Sequence, residues 1–554
     1  MESMIQESRI QELRNYLQVH GPGYTLRRCG EKTLQRVLGT YDRVWRRQQP
    51  SASELERQRR ETPSAGLISV LIPVYNTAPD LLRVLLDSLC SQTYPSWEAV
   101  LWDGASDRPE TLAVLEAVAA QDSRFRVFHG SRNLGISGNT NAALAEARGA
   151  YAALADHDDW LSPEALWRTA EAIALKHPDL IYSDEDRLTE DGRNRMDPHY
   201  KPDWCPINLL SANYICHLAV VRTELLREVG GLRSGFDGSQ DHDLFLRLSE
   251  KTGSILHLPY TLYSWREVRS SMSHQKLQAC LESGCRAVEE HEARLGRKVT
   301  ALPVNREIRM WFDVPRDGSV EAIIFGTEES QCRDALNELM FRTQDPRIRA
   351  ALVVTDPQGL YAALNEAAAS SGSDYLLLLD ARVRGMNRHF IRELLMYAQM
   401  PEVGAVTPLL INRRKRITHS GFALGVRGAA QCVQEGLFHT AGGWHDAINR
   451  VRQVAAVSPC CTLIRRDAFV PFDASWQTGL GSVDWSLRLR QSGKLLVCTP
   501  HAEATLERCP LLLSGTRRDP SELKRFQDTW GDLTDPCYGS RFKKRRANYA
   551  LQGK

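Results

Sequence analysis

Four short apolar runs, each separated from the next by a helix-length segment, constrain this chain more than any other feature. Ile68 to Ile72, Ala99 to Trp102, Phe125 to Phe128 and Tyr151 to Ala155 have the length and near-continuous apolarity of buried β-strands. Helical spacing lies between them, as at Leu82, Leu85, Leu86 and Leu89. Alternation of this kind predicts a parallel sheet in an α/β fold. Ligands of open α/β sheets bind beyond the carboxyl ends of the strands. Here each run leads into polar residues: Pro73-Val74-Tyr75-Asn76, Asp103-Gly104-Ala105-Ser106-Asp107, Arg132-Asn133-Leu134-Gly135 and Asp156-His157-Asp158-Asp159. A nucleotide site is the expectation. No G-x-G-x-x-G opens a helix after the first strand, which argues against a nicotinamide or flavin dinucleotide.

The fourth of these ends carries the chemistry. Clustered carboxylates at a strand end are unfavourable unless a cation sits among them, and hard divalent ions take oxygen ligands of this type. A metal held by Asp156 and Asp158, with coordination sites to spare, is suited to gripping a diphosphate. D-x-D alone leaves a second reading open, an acidic turn ahead of a helix at Ser162-Pro163-Glu164.

Taken together, Ile68-Ser69-Val70-Leu71-Ile72-Pro73-Val74-Tyr75-Asn76, the Asp103 loop, Asn133-Leu134-Gly135-Ile136-Ser137 and Asp156-His157-Asp158-Asp159 resemble the inverting family-2 glycosyltransferases with the GT-A fold. Tyr182-Ser183-Asp184-Glu185-Asp186, Tyr200-Lys201-Pro202-Asp203-Trp204 and Gly238-Ser239-Gln240-Asp241-His242-Asp243-Leu244 are similar to their bacterial O-antigen and rhamnan-type branch. The resemblance implies that Asp103 binds the donor's base in a pocket lined by Pro73, Tyr75, Arg132 and Asn133. It implies that Asp156 contacts the ribose, that Asp158 holds Mg²⁺ or Mn²⁺ on the diphosphate, and that Asp241 is the general base. An acceptor hydroxyl is a poor nucleophile until a carboxylate takes its proton. The structural alternative for Asp241 is an N-cap before Leu244-Phe245-Leu246-Arg247. One departure stands out in Leu262-Tyr263-Ser264-Trp265-Arg266, where Ser264 takes the place of the family's histidine. Trp265 and Arg266 remain for stacking on a sugar and pairing with phosphate, and His274 is the nearest substitute imidazole.

The second half repeats the plan with its chemistry dismantled. Ala322 to Phe325, Ala350 to Thr355 and Tyr375 to Leu379 read as strands, and Asp380 follows Asp156 by 224 residues, a domain length. Where the family has D-x-D the chain has Asp380-Ala381-Arg382; Asp484 aligns with Asp243, so Ser482 takes the place of Asp241; and the late segment reads Thr505-Leu506-Glu507-Arg508. The expected architecture is α/β with two tandem GT-A, Rossmann-like domains: residues 1–62 a helical extension and linker, 63–312 catalytic, 313–516 a second, silent GT-A-like domain that binds glycan or packs on the first, and 517–554 a basic, mobile tail. Within the extension, Ile5, Ile10, Leu13, Leu17, Leu34, Val37 and Leu38 recur at helical spacing around a break at Gly21-Pro22-Gly23, and Gln48 to Ser64 reads as a polar linker.

Composition sets the partners. With 554 residues the chain has room for several cores. A net charge of +2 excludes a general polyanion or nucleic-acid binder. Arg413-Arg414-Lys415-Arg416 and Lys543-Lys544-Arg545-Arg546 are solvated faces or contacts with anionic lipid, where lipid-linked acceptors reside. No run approaches the roughly 20 apolar residues of a membrane span, and no signal peptide opens the chain. The 13 cysteines form no C-x-x-C pair, as expected of reduced thiols. The expectation is a cytoplasmic protein, peripheral at the inner membrane face, that takes a nucleotide-sugar donor and a glycan or lipid-linked acceptor. A glycoside hydrolase, which needs neither nucleotide pocket nor strand-end metal, a two-site polymerase and a non-catalytic glycan-binding scaffold are the rivals.

Overall fold

The computed structural model describes residues 40–267, 277–304, 307–507, 511 and 519–552. The helical pattern and break expected before residue 40, and His274, lie outside these residues. Two compact units divide the described chain between Met310 and Trp311.

The strands of the first unit are β1 (Ile68–Val74), β2 (Trp97–Asp103), β3 (Phe125–His129), β4 (Tyr151–Leu154), β5 (Trp160–Leu161), β6 (Leu180–Leu188), β7 (Arg195–His199), β8 (Ala219–Arg222) and β9 (Ile255–Arg266). They form one mixed sheet in the order β3-β2-β1-β4-β8-β6-β9-β5, with β7 on β6. The half from β3 to β4 is parallel, as the alternating runs predict. β8 then runs antiparallel to both β4 and β6, which no periodicity announced. Every residue of β1 is buried, because helices cover both faces of a central parallel strand. Leu82, Leu85, Leu86 and Leu89 of helix Pro79–Cys90 pack into that core, and Pro79 starts the helix where no N–H is needed.

Residues 40–60 are not a loose linker. Helices span Thr40–Gln48 and Ala52–Arg60. Ser51 caps the second, its Oγ accepting from the Glu54 amide at 3.1 Å, and Arg57 pairs with Glu54 at 2.8 Å. A helix held by a cap and ion pairs has no apolar stripe, so hydrophobic periodicity missed it. Both helices dock on the first unit. Gln58, fully buried, donates to Glu164 (3.1 Å) and accepts from the Thr93 hydroxyl (2.8 Å). Arg195 sits in the angle between the Trp45 and Trp160 rings, 3.9 and 4.3 Å from their centres, pairs with buried Asp186 at 2.9 Å, and donates to Ser264. The Tyr41 hydroxyl donates to the same Asp186 (2.8 Å). Tyr41→Phe is therefore expected to lower stability by about 1.5–3 kcal/mol, the worth of a hydrogen bond to a charged group. A urea midpoint unchanged from wild type would mean that this docking contributes nothing.

β10 (Val299–Val304) and β11 (Glu307–Phe312) pair at the junction. The second unit contains β12 (Val320–Gly326), β13 (Ile348–Val354), β14 (Tyr375–Asp380), β15 (Val403–Ile411), β16 (Ile417–His419), β17 (Phe422–Val426), β18 (Ala429–Cys432), β19 (Arg452–Gln453), β20 (Cys461–Arg465) and β21 (Leu495–Thr505). Its main sheet runs β13-β12-β14-β20-β15-β21-β19, with β16 on β15. The stretch from β13 to β21 repeats β2-β1-β4-β8-β6-β9, including the antiparallel step at β14–β20. Among the described residues β3 has no counterpart, since helix Leu360–Ser370 leads straight from β13 to β14.

The C-terminal segment is also not a mobile tail. Helix Pro520–Trp530 buries Phe526, and beyond it Tyr538, Phe542 and Ala547 are buried. The rings of Trp444, Tyr538, Phe542 and Tyr549 pack together with centroids 4.7–6.1 Å apart. Buried Asp535 accepts from the amides of Leu424, Cys537 and Tyr538. The basic residues mask this aromatic spacing in the sequence. Among the described residues no helix is long and apolar enough to cross a membrane.

Candidate functional site

The carboxyl ends of β1 to β4 form one edge, and the residues singled out by sequence lie along it. Pro73 is buried in β1, and Tyr75 just beyond is 44% exposed. Asp103 ends β2, buried, with Oδ1 accepting from the Ser106 amide (3.0 Å) and Oδ2 3.0 Å from His129 Nδ1. Gly104 allows the helix after β3 to approach, for a Cβ there would lie 2.5 Å from Asn139 Nδ2. Arg132 is exposed, as is Asn133, whose Oδ1 accepts from the Gly135 amide and from Asn139.

Beyond β4 the acidic loop is held by the end of β9. The Tyr263 hydroxyl donates to Asp159 (2.7 Å) and accepts from the Asp156 amide (3.0 Å). The Arg266 amide donates to Asp159 (2.7 Å), and its guanidinium to the carbonyl oxygens of Asp158 (3.2 Å) and Glu190 (3.2 Å). Arg266 thus clamps the loop's backbone. Asp158 is partly open, its side chain 27% exposed. Burial, then the charge of Asp156, raises its carboxyl pKa above the ordinary value despite nearby His157. Burial with Asp158 and Asp156 pushes Asp159 well up. Burial thus disfavours the charged forms of Asp158 and Asp159, a cost that a nearby cation would offset. That fits a divalent cation bound by Asp158 with Asp156 close by, although among the described residues no three acidic, histidine or cysteine side chains converge on a ready-made cage. Magnesium-type sites meet this condition when one or two carboxylates share the ion with phosphates and water.

The segment before β8 supplies a residue that sequence reading missed. His217 Nε2 lies 3.5 Å from Asp156 Oδ2, and its ring stacks on Tyr263 (4.9 Å) and tilts toward Trp265 (5.5 Å). Burial alone would lower its pKa, but Asp156 foremost, with Asp241 and Asp159, raises it to about 9. The imidazole thus stands against Asp156, with Asp241 contributing to the field it feels. Asp241 is half-buried at the second position of helix Gln240–Ser249, and Ser239 is the N-cap residue, so the capping alternative does not hold. Its Oδ2 accepts from Asn213 Nδ2 (2.8 Å), and Asn213 Oδ1 accepts from the amides of Ile215 and Cys216. Asp243 faces away, paired with Arg233 and Arg247.

Lys201 supports this segment from below. Fully buried, its ammonium donates to Glu185 (3.1 Å) and to the carbonyl oxygens of Ile215 (2.5 Å) and His217 (2.7 Å). Burial pushes the Glu185 carboxyl up, but Lys201, then His199 and His217, hold it down at about 2. Because that lies below the usual 4.5, its stabilisation is complete above pH 4.5 and drains as pH falls toward 2. Lys201→Met breaks a buried pair and is expected to cost about 3–5 kcal/mol, with a flatter acid limb. Urea midpoints across that pH range measure both, and a loss under about 1 kcal/mol would refute the lock.

The family profile described as Glycosyl transferase family 2 matches residues 69–230. Residues 69–230 of the first unit are a family-2 glycosyltransferase domain. The match covers the edge from β1 to β8 and stops before Asp241. Across 92% of its length the chain is 33% identical to the uncharacterized protein y4gI of Sinorhizobium fredii, and across 78% it is 34% identical to the O-antigen biosynthesis protein RfbC of Myxococcus xanthus. It spans 62% and 36% of those two proteins. A crystal structure of S. aureus TarS with UDP-GlcNAc aligns over 40% of this chain and 66% of that one, at 22% identity and TM-score 0.35.

The second unit can be compared with the glycosyltransferase domain by register. Ile68 pairs with Tyr151 as Val320 pairs with Tyr375, so Asp380 corresponds to Asp156 and Arg382 to Asp158. Arg382 grips Asp380 through two bonds of 2.8 and 2.6 Å. Val74 opposes Asp103 as Gly326 opposes Val354, which puts an apolar residue in the place of Asp103. The Asp484–Arg488 pair (2.9 Å) matches Asp243–Arg247 (2.8 Å), and Ser482, buried and bonded to the Gly479 carbonyl, corresponds to Asp241.

Proposed function

We propose that the first unit transfers a sugar from a nucleoside-diphosphate donor to a hydroxyl of a glycan or lipid-linked acceptor, with inversion, in bacterial surface polysaccharide synthesis. The observation that carries this reading is Asp156 held 3.5 Å from His217 at the end of β4, with Asp158 two residues on in the same loop and Asp103 ending β2 on the same sheet edge, while Asp241 adds to the field that raises the His217 pKa. A hydrolase has no use for such a nucleotide-ready edge. The alignment with an O-antigen biosynthesis protein supports the polysaccharide context.

In this reading Asp103, at the floor of the crevice, receives the donor's base between Tyr75 and the Arg132–Asn133 loop. Asp156 receives the ribose, and the His217 imidazolium keeps that carboxylate ionised and oriented. Asp158 with Asp156 would hold Mg²⁺ or Mn²⁺, which when bound offsets charge developing on the leaving diphosphate. Asp241, fixed by Asn213, takes the proton from the acceptor hydroxyl as it attacks the anomeric carbon from the face opposite the leaving group. Tyr263 and Arg266 keep the acidic loop in place.

The second unit takes no part in transfer. Arg382 stands where a cation's ligand would be, and a buried serine cannot serve as base, which disfavours a two-site polymerase. A panel of nucleotide sugars incubated with and without Mn²⁺, read as released UDP, GDP or dTDP, tests the function. One donor should be turned over in a Mn²⁺-dependent manner. If none is hydrolysed and none binds, the scaffold reading wins.

A further inference from the structure

The second unit has lost the transferase residues, yet it has kept an opening at the same sheet edge. A cavity of about 120 Å³ lies beyond β12, β13 and β14, bordered by Thr327, Thr355, Asp356, Asp380, Arg382 and Gln477. We propose that it binds one neutral sugar residue of a glycan, with neither metal nor nucleotide, making the second unit a saccharide-binding module in the same chain as the transferase.

Size is the first argument. At about 30 Å³ per water in the liquid, the space holds on the order of four waters, which suits one sugar ring seated in the opening and falls short of a nucleotide sugar. The pocket for a base is also reduced. The domain's β3, followed by the Arg132–Asn133 loop, has no counterpart here, and Val354, 52% exposed, replaces Asp103.

Charge is the second. The wall has two carboxylates, Asp356 and Asp380, against one guanidinium, Arg382, which is already paired with Asp380. That surplus repels a diphosphate, and with Asp380 taken up by Arg382 the second carboxylate of a metal pair is gone. An uncharged polyol suits it well. Carboxylates accept from hydroxyl pairs, and Gln331, Gln477, Thr327 and Thr355 supply both donors and acceptors. Phe325, Pro357 and Leu360 add apolar surface for the C–H face of a ring.

Saturation-transfer NMR on the full chain tests this. The probes are methyl glycosides of glucose, galactose, mannose, rhamnose and N-acetylglucosamine at millimolar concentration, with UDP and GDP plus Mn²⁺ alongside. Thr327→Trp, at an exposed position on the rim, should fill the cavity and abolish transfer to the glycoside that binds. Asp356→Asn should weaken that binding about tenfold, the loss of one charge-assisted hydrogen bond. Asp158→Ala, in the other unit, should leave it intact. Melting temperatures confirm folding, and should Thr327→Trp melt early, Gln477→Ala replaces it. The proposal fails if no neutral glycoside shows transfer, or if transfer survives in the cavity variants. It also fails if UDP or GDP binding persists in Asp158→Ala and disappears in Thr327→Trp.

Discussion

Asp241→Asn is expected to lower sugar transfer by about 10²–10⁴-fold, the usual contribution of general-base assistance, with donor affinity nearly unchanged. Asparagine keeps the size of the side chain, and its one remaining oxygen can still accept from either Asn213 or the His242 amide, which bond different oxygens of the carboxylate. What it loses is the capacity to take a proton. Because Ser239 is the N-cap residue, the substitution should leave the helix start and the melting temperature close to wild type. Donor affinity is read separately, since the base and ribose contacts assigned to Asp103 and Asp156 lie on other elements. Near-normal turnover in the folded variant would remove Asp241 from the mechanism.

Asp158→Ala is the second large effect. Among the loop's carboxylates, Asp156 is engaged by His217 and Asp159 by Tyr263 and Arg266, which leaves Asp158 as the one best able to take an ion. Its loss should cut turnover by on the order of 10²-fold or more, as when several kcal/mol of charge stabilisation are withdrawn, and should weaken UDP or GDP binding in Mn²⁺. EDTA should reproduce the defect in the wild type. Ser482→Ala in the second unit, by contrast, should leave transfer near wild type. Full turnover in chelator would overturn the metal assignment, and a comparable loss from Ser482→Ala would mean two working sites.

The parallel half of each sheet was legible because buried central strands must be continuously apolar and the turns after them must be polar. Asp103, Asp156, Asp158 and Asp241 could be picked out by position within those motifs. His217 could not. It stands alone at the start of a short antiparallel strand, and only the crossing of β8 between β4 and β6 brings it to Asp156. The role of Lys201 was hidden for a similar reason, since besides Glu185 its partners are backbone carbonyls whose position depends on that crossing. The linker expected over residues 48–64 and the mobile tail were misread because charged residues dominate both: a capped, ion-paired helix before β1, and aromatic residues dispersed among lysines and arginines after residue 530.

The two-ring seat of Arg195 bears on how this chain can be cut down. The recognisable domain begins at residue 69, and a fragment started there by homology would discard Trp45 and Tyr41. Arg195 would lose one of its two aromatic faces, and Asp186 one of its donors, directly beside Ser264, whose strand neighbour Trp160 follows Asp159 in the acidic loop. The apparent accessory is part of the foundation. A shortened protein that includes every family motif would still be missing a wall of the room in which the carboxylates stand, so expression boundaries for this chain belong upstream of Thr40.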